Sequence, residues 1–206
     1  MQAVYVLDIK DIEEHQSRIV PFLDENSILK AKVFVNKEDR LRSLGSSLLI
    51  KAFTTPSELK YNEYGKPYKD QKPFFNVSHS GNVVGIFISD SAEVGFDIQR
   101  IKSFDEKLLN YVFSAEKRLI KTEKDFAKLW TMKESAIKCL GRGVVFAKDN
   151  SITEIKDDYF IFGKQKFYYK NKFLSKYAIT MCSQEQINAE ILQIDCEFII
   201  KTLAKI

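Results

Sequence analysis

Three charged side chains, Lys133, Glu134 and Lys138, share the short stretch FAKLWTMKESAIKCL at residues 126–140. A carboxylate set between two ammonium groups can move a proton, hold a cation or neutralise phosphate. The apolar residues around them set the geometry. At 100° per residue, Phe126, Leu129, Trp130, Ile137 and Leu140 fall in one stripe about 100° wide, so the stretch reads as a helix with a core-facing side. Lys133 falls in the middle of that stripe, Glu134 on its flank, and Lys138 one turn beyond Glu134. A lysine in a core stripe either snorkels outward or is kept for chemistry.

Further candidates lie upstream. The run 93–99 alternates as a strand, with Val94, Phe96 and Ile98 on one face and Gly95, Asp97 and Gln99 on the other. Asp97 and Gln99 therefore offer two oxygen ligands side by side, and Gly95 leaves room for something to approach. Taken with Glu116 and Glu134, these form a set in which Asp97 and Glu134 could converge from the two halves on one hard cation, since magnesium is held by one or two carboxylates, waters and phosphate oxygens. Spacing alone favours ordinary roles: Glu116 suits a helix N-terminus, Glu134 pairs with Lys138 at i, i+4, and Asp97 is a solvated strand residue. His79, in NVSHSG, ends a strand and enters a turn. It could donate to a phosphate beside free backbone N–H groups, or satisfy only its own turn. Lys30, Arg42, Lys66, Lys133 and Lys138 could clamp a polyphosphate, or keep the surface soluble.

The elements that must position these residues follow from periodicity and punctuation. A strand is expected over 3–9, then a helix capped by Asp11 and ended near Pro21, then helical segments over 29–34 and 37–53. A turn follows at Tyr64-Gly65-Lys66-Pro67. Three strand-like runs, 74–78, 83–89 and 93–99, are separated by turn residues. A short helix over 108–113 precedes Ser114, which suits an N-cap with Glu116 in the next first turn. Gly141 ends the 126–140 helix. Strand-like runs return at 151–155, 159–162, 166–169, 177–182 and 189–194, and the tail from Cys196 fits strand or helix. Helices followed by a hairpin thus occur in each half. The expected fold is α+β, with two similar lobes forming a pseudo-dimer, each a small antiparallel sheet packed against helices, at 1–100 and 101–206.

The 206 residues suffice for a core without staples. A net charge of +4, with both signs interspersed, does not argue for nucleic acid. Three cysteines without CxxC spacing point to a reducing cytoplasm rather than a disulfide framework. With only His15 and His79 available, a structural zinc site is expected to have too few soft ligands. No apolar run is long enough to span a membrane, and the start lacks a signal peptide's charged and apolar regions. Phosphate loops, dinucleotide fingerprints and nucleophile elbows are absent from the sequence. Cys139 reads as a small core residue.

Taken in order, Gly95-Phe96-Asp97, then Phe113-Ser114-Ala115-Glu116, then Trp130-Thr131-Met132-Lys133-Glu134-Ser135-Ala136-Ile137-Lys138 resemble the signature of 4′-phosphopantetheinyl transferases, most closely the two-lobed, surfactin-synthetase-activating type. The middle motif is one residue shorter here than in the family pattern. Tyr64–Pro67, Asn76–Ser80, and Lys37-Glu38-Asp39 with Arg42 resemble further family segments. The resemblance implies transfer of the phosphopantetheine arm of coenzyme A to a serine of an acyl or peptidyl carrier protein, with release of adenosine 3′,5′-bisphosphate. It implies Mg²⁺ held by Asp97 and Glu134, with Gln99 where the best-known members have glutamate. Glu116 is implied as base or metal-water ligand, and Lys138, with Lys133, as neutraliser of the pyrophosphate. Lys30, Arg42, Lys66, Ser78 and His79 are implied to hold the phosphates of coenzyme A. The lobes being joined covalently, a monomer is expected. Another magnesium-dependent pyrophosphate or nucleotide enzyme, or a catalytically weak coenzyme A- or carrier-binding relative, would use the same residues.

Overall fold

The computed structural model describes residues 1–104, 106–113, 116–143, 145–146 and 150–205. Strand β1 (Gln2–Asp8) opens the chain, and its buried residues split between two faces, Ala3 and Leu7 on one and Val4 and Val6 on the other. Asp8, not Asp11, caps helix α1 (Ile9–Glu14) by accepting from the Lys10 amide. The chain breaks at His15, continues as α2 (Gln16–Ile19), and passes through a 3₁₀ turn at Val20–Phe22 that contains Pro21. Helix α3 (Glu25–Lys32) is capped by Asp24 and α4 (Lys37–Phe53) by Asn36, each side chain accepting a backbone N–H of the first turn. The short strands β2 (Lys60–Tyr61) and β3 (Pro67–Tyr68) form a ribbon around the glycine turn at Gly65. Strands β4 (Phe74–Ser80), β5 (Val83–Ser89) and β6 (Val94–Arg100) follow.

Helix α5 (Glu106–Val112) comes next. Ser114, expected as a cap, and Ala115 lie outside the described residues. Glu116 does not open a helix of any length; it precedes a 3₁₀ turn at Lys117–Leu119. The long helix α6 (Glu123–Cys139) begins instead at a capping box, in which Thr122 and Asp125 satisfy each other's backbone amides. It ends at Leu140 with Gly141 at φ 63°, the left-handed position that glycine supplies without strain. Strands β7 (Ile152–Ile155), β8 (Tyr159–Phe162), β9 (Gln165–Leu174), β10 (Tyr177–Ser183) and β11 (Ile191–Gln193) follow, and the tail resolves as helix α7 (Cys196–Leu203), capped by Asp195.

The architecture is α+β, with small sheets packed against helices. One sheet has the order β11-β1-β5-β4 and the other β6-β10-β9-β8-β7. The expected division at residue 100 does not follow these sheets. Strand β6 lies before it but pairs antiparallel with β10 of the second sheet. Strand β11 and helix α7 lie beyond it but return to the first sheet and its core. The first sheet is not wholly antiparallel, because β11 runs parallel to β1. Two apolar clusters lie under α4 and α6, and a third, built from Val4, Phe87, Phe96, Ile179 and Met181 among others, fills the space between the sheets.

The sheets meet along β4 and β6. Each alternate amide of β6 points away from β10 and is met by a side chain of β4: Phe96 N–H donates to Asn76 Oδ1 at 2.9 Å, Ile98 N–H to Ser78 Oγ at 3.1 Å, and Arg100 N–H to Ser80 Oγ at 3.0 Å. Buried amides demand such partners. On the opposite side of β6, the space left by Gly95 is taken by helix α6. A Cβ built there would stand 1.8 Å from the Ser135 carbonyl oxygen. The glycine thus admits a helix backbone rather than a ligand. Gly95→Ala is expected to destabilise the protein by about 3 kcal/mol or more, since backbone rather than a flexible side chain must move. Urea unfolding would read this as a lowered midpoint, and an unchanged midpoint would refute the close approach.

Candidate active site

The close approach of α6 to β6 carries the charged groups of both into one cluster. Lys138 Nζ stands 2.6 Å from Asp97 Oδ1 and donates to Ser78 Oγ at 3.1 Å. Ser78 in turn donates to Asp97 Oδ1 at 2.9 Å. Asp97 is 5% exposed, and its second oxygen, Oδ2, is buried without a hydrogen-bond partner. A buried carboxylate oxygen left in this condition is costly unless a cation or donor meets it. Glu134, one helical turn before Lys138, is buried at the same place. Burial, and next the charge of Asp97, push its pKa up from an ordinary 4.5 to about 7, while Lys138 acts in the opposite sense. Two carboxylates resisting joint ionisation beside an orphaned oxygen form a donor set that suits a hard divalent ion.

His79 follows Ser78 on β4 and points to the other face of the strand. It lines a cleft of about 210 Å³ together with Lys30, Asp39, Ser43, Ser46 and Tyr61. His79 is exposed on its open side, yet desolvation on the other, with the charges of Lys138 and Arg42, holds its pKa below the ordinary value. Lys30 reaches the Tyr61 hydroxyl at 3.3 Å and lies over that ring. Arg42 donates to the Gly81 carbonyl at 2.6 Å and pairs with Asp39, which fixes its guanidinium below the β4–β5 turn. The Ser43 hydroxyl is buried in this cleft without a partner. Sequence reasoning missed Ser43, and no local signal marks it. The part that Asn76 and Ser80 play in receiving the β6 amides was also missed, although the polar positions Asn76, Ser78 and Ser80, alternating along one face of the strand, were the available signal.

Four expected residues stand apart from this cluster. Lys66 pairs with Glu93 at 2.6 Å, near the turn that follows α6, where Asn62 donates to the Gly141 carbonyl at 2.8 Å. Gln99 is not engaged with Asp97; its amide nitrogen donates to the Arg100 carbonyl at 3.1 Å. Lys133 is 1% exposed and faces the second core. There its ammonium meets Glu116 Oε1 at 3.0 Å and the Val112 carbonyl at 2.6 Å, over the Phe113 ring. Burial lowers the Lys133 pKa, and Glu116 counters that shift. Glu116 is equally buried and also accepts the Ile152 amide at 2.5 Å. The mid-stripe lysine is therefore held by a carboxylate brought in from the 3₁₀ turn, on a different side of α6 from Glu134 and Lys138.

The fold and this cluster gather two carboxylates and an ammonium group where the edge of one sheet meets one helix. Comparison with known proteins places these residues in a family. The profile of the 4′-phosphopantetheinyl transferase superfamily matches residues 93–182, which contain β6, α6 and the Asp97–Glu134–Lys138 cluster. The chain is 35% identical to the 4′-phosphopantetheinyl transferase gsp of Aneurinibacillus migulanus, over 68% of this chain and 67% of that protein. It is 31% identical to the 4′-phosphopantetheinyl transferase Sfp of Bacillus subtilis, over 71% and 72% respectively. It is 38% identical to the 4′-phosphopantetheinyl transferase AcpT of Salmonella typhi over 47% of this chain and 56% of that protein. This chain belongs to the 4′-phosphopantetheinyl transferase superfamily. Among the described residues, no helix is long and apolar enough to cross a membrane.

The raised Glu134 pKa has a consequence for the metal-free protein. A carboxyl whose folded pKa exceeds its unfolded value contributes stability that is present below the unfolded pKa and lost as pH rises through the folded one. For Glu134 that window runs from 4.5 to about 7. The loss amounts to about 3 kcal/mol when complete. Glu134→Gln, which cannot ionise, is expected to make the metal-free protein more stable than the parent at pH 8 and to match it near pH 4. Thermal unfolding across this range checks the sign, and equal stabilities at pH 8 would contradict it.

Proposed function

We propose that this enzyme transfers the 4′-phosphopantetheine arm of coenzyme A to a serine hydroxyl of an apo acyl or peptidyl carrier protein, releasing adenosine 3′,5′-bisphosphate. The observation that carries the reading is the Asp97–Ser78–Lys138 cluster with Glu134 beside it, of which Asp97, Glu134 and Lys138 lie inside the segment shared with the superfamily. Magnesium is the ion this donor set fits, through Asp97 and Glu134, and it would supply charge stabilisation on the pyrophosphate. Gln99, turned toward Arg100, is left out of that donor set.

The chain's own groups then have distinct tasks. Ser78 holds the Asp97 carboxylate in one orientation while Lys138 stays within reach of the same oxygen. Lys138 is a movable point charge on a flexible stem and can pass from Asp97 to a substrate phosphate. His79, Lys30 and the Ser43 hydroxyl line one cleft and would receive the remaining phosphates and the nucleoside end of coenzyme A. Arg42 supports that cleft from beneath through Asp39 and Gly81. Attack on the β-phosphorus is governed by positioning and charge stabilisation, which a rigid helix-on-strand contact provides.

Glu116 receives a different task from the one its motif implies. Sealed by Lys133 and Ile152, it acts as a positioning residue that sets the face α6 presents to β6. Removal of one partner from a buried ion pair leaves the other charge uncompensated. Glu116→Gln is expected to lower stability by about 3–5 kcal/mol in urea unfolding. A variant of unchanged stability that had lost turnover would instead make Glu116 the base.

The reaction itself is tested by incubating the protein with coenzyme A, Mg²⁺ and an apo-carrier, then weighing the carrier intact. A gain of one phosphopantetheine is expected. It should fall about a hundredfold or more in rate for Asp97→Asn and for Lys138→Met, as for groups that meet developing charge. Cleavage of coenzyme A without a gain in carrier mass would favour a pyrophosphate hydrolase. Binding of coenzyme A without either product would favour a catalytically weak relative.

A further inference from the structure

Far from the Asp97 cluster, the two ends of the chain bring three unlike donors together. Asp11 and His15 come from α1 and the residue that follows it, and Cys196 is the first residue of α7. One ligand atom from each, a carboxylate oxygen, an imidazole nitrogen and the thiol sulfur, lies within 4.8 Å of the others. His15 Nδ1 is 3.1 Å from Asp11 Oδ1 and 3.0 Å from the Asp11 carbonyl oxygen. The other oxygen of Asp11 accepts the Cys196 amide. That bond is not needed to cap α7, a task Asp195 performs by accepting the Phe198 amide. The Asp11 carboxylate is thus pinned between the imidazole and the start of α7.

Two further features make this more than a contact between helices. The remaining ring nitrogen, His15 Nε2, faces Glu197 Oε1 at 3.8 Å, and Arg18 holds that carboxylate with two contacts. A carboxylate beyond the far nitrogen of a histidine is the arrangement that orients metal-bound imidazoles. Access is one-sided: Cys196 is fully buried, whereas the Asp11 and His15 side chains each keep 24% of their surface open. An ion could therefore enter from solvent and meet the sulfur at the bottom.

We propose that Asp11, His15 and Cys196 form a binding site for one borderline divalent transition ion, of the zinc or cobalt class, that ties the end of the chain to its beginning. The donor set is chemically distinct from the oxygen-only set at Asp97 and Glu134. Sulfur and imidazole select zinc-like ions, and magnesium has no preference for them. On binding, the thiol proton leaves to solvent as the metal–sulfur bond forms, and no oxidation state changes. On binding, the imidazole gives up the hydrogen that Nδ1 presents to the Asp11 oxygens and takes one on Nε2 toward Glu197, so that the Nδ1 lone pair is free to coordinate. The fourth position is left to water. Because the unfolded chain separates these donors, the ion stabilises the folded state.

The test uses the full chain, freed of metal with a chelator and titrated with Co²⁺. A sulfur-to-cobalt charge-transfer band is expected, saturating at one ion per chain. It should vanish in Cys196→Ser and persist in Cys139→Ser and Cys182→Ser. Glu197→Gln should weaken binding about tenfold. Zn²⁺ should raise the thermal midpoint of the parent but not of His15→Gln, a partly exposed position outside the apolar core. Cobalt bound only at oxygen donors gives no thiolate band. Absence of the band, or a band and midpoint shift that survive Cys196→Ser and His15→Gln, would overturn the proposal.

Discussion

The structure depends on a seam in which one strand's side chains replace a neighbouring strand's backbone. Strand β6 spends alternate amides on β10, and the others face β4. Asn76, Ser78 and Ser80 supply the oxygens that these amides would otherwise lack. The two sheets are therefore held by bonds that carry side-chain chemistry with them. Ser78 does double duty in this sense, because the hydroxyl that satisfies Ile98 also donates to Asp97. The orientation of the site's central carboxylate is a by-product of closing the seam between sheets.

The charges divide according to which side of α6 they leave. Toward β6, burial first and the charge of Asp97 second push the Glu134 pKa up to about 7, while Lys138, paired with Asp97, acts in the opposite sense. That side leaves Asp97 Oδ2 buried without a hydrogen-bond partner. Away from β6, Lys133 and Glu116 form an ion pair at 1% exposure, in which Glu116 Oε2 is likewise buried without a hydrogen-bond partner. A buried ion pair gives little net stability, because the cost of desolvating both charges offsets their attraction. What it gives here is a fixed rotation of α6. With Lys133 held by Glu116 and the Val112 carbonyl, Glu134 and Lys138 cannot turn away from β6 without breaking a buried pair.

The sequence made the helix and its flank legible because a period of 3.6 residues separates Glu134 and Lys138 from the apolar stripe without reference to the rest of the fold. It marked Lys133 as anomalous but could not say what resolves the anomaly. The partner lies in a 3₁₀ turn upstream, and a pairing across a turn leaves no periodic trace. Strand alternation placed Asp97 on one face of β6 but was silent on which sheet receives the strand. That choice is made by edges, and a two-residue period is the same whichever edge is joined. Gly95 illustrates the limit: it signalled close approach, and only the structure shows that Ser135 is what approaches.

Both ends of the chain bear on a site that neither touches. The first sheet is completed when β11 pairs with β1, after the second sheet has taken its own strands. Helix α7 then places Cys196, Ile199 and Leu203 in the core beneath α4, the helix that carries Arg42 and Ser43 to the cleft. The β4 edge that presents Ser78 and His79 belongs to this same sheet. Its geometry is thus set by residues at both termini, and the contact of α7 with α1 is where the closed chain is secured.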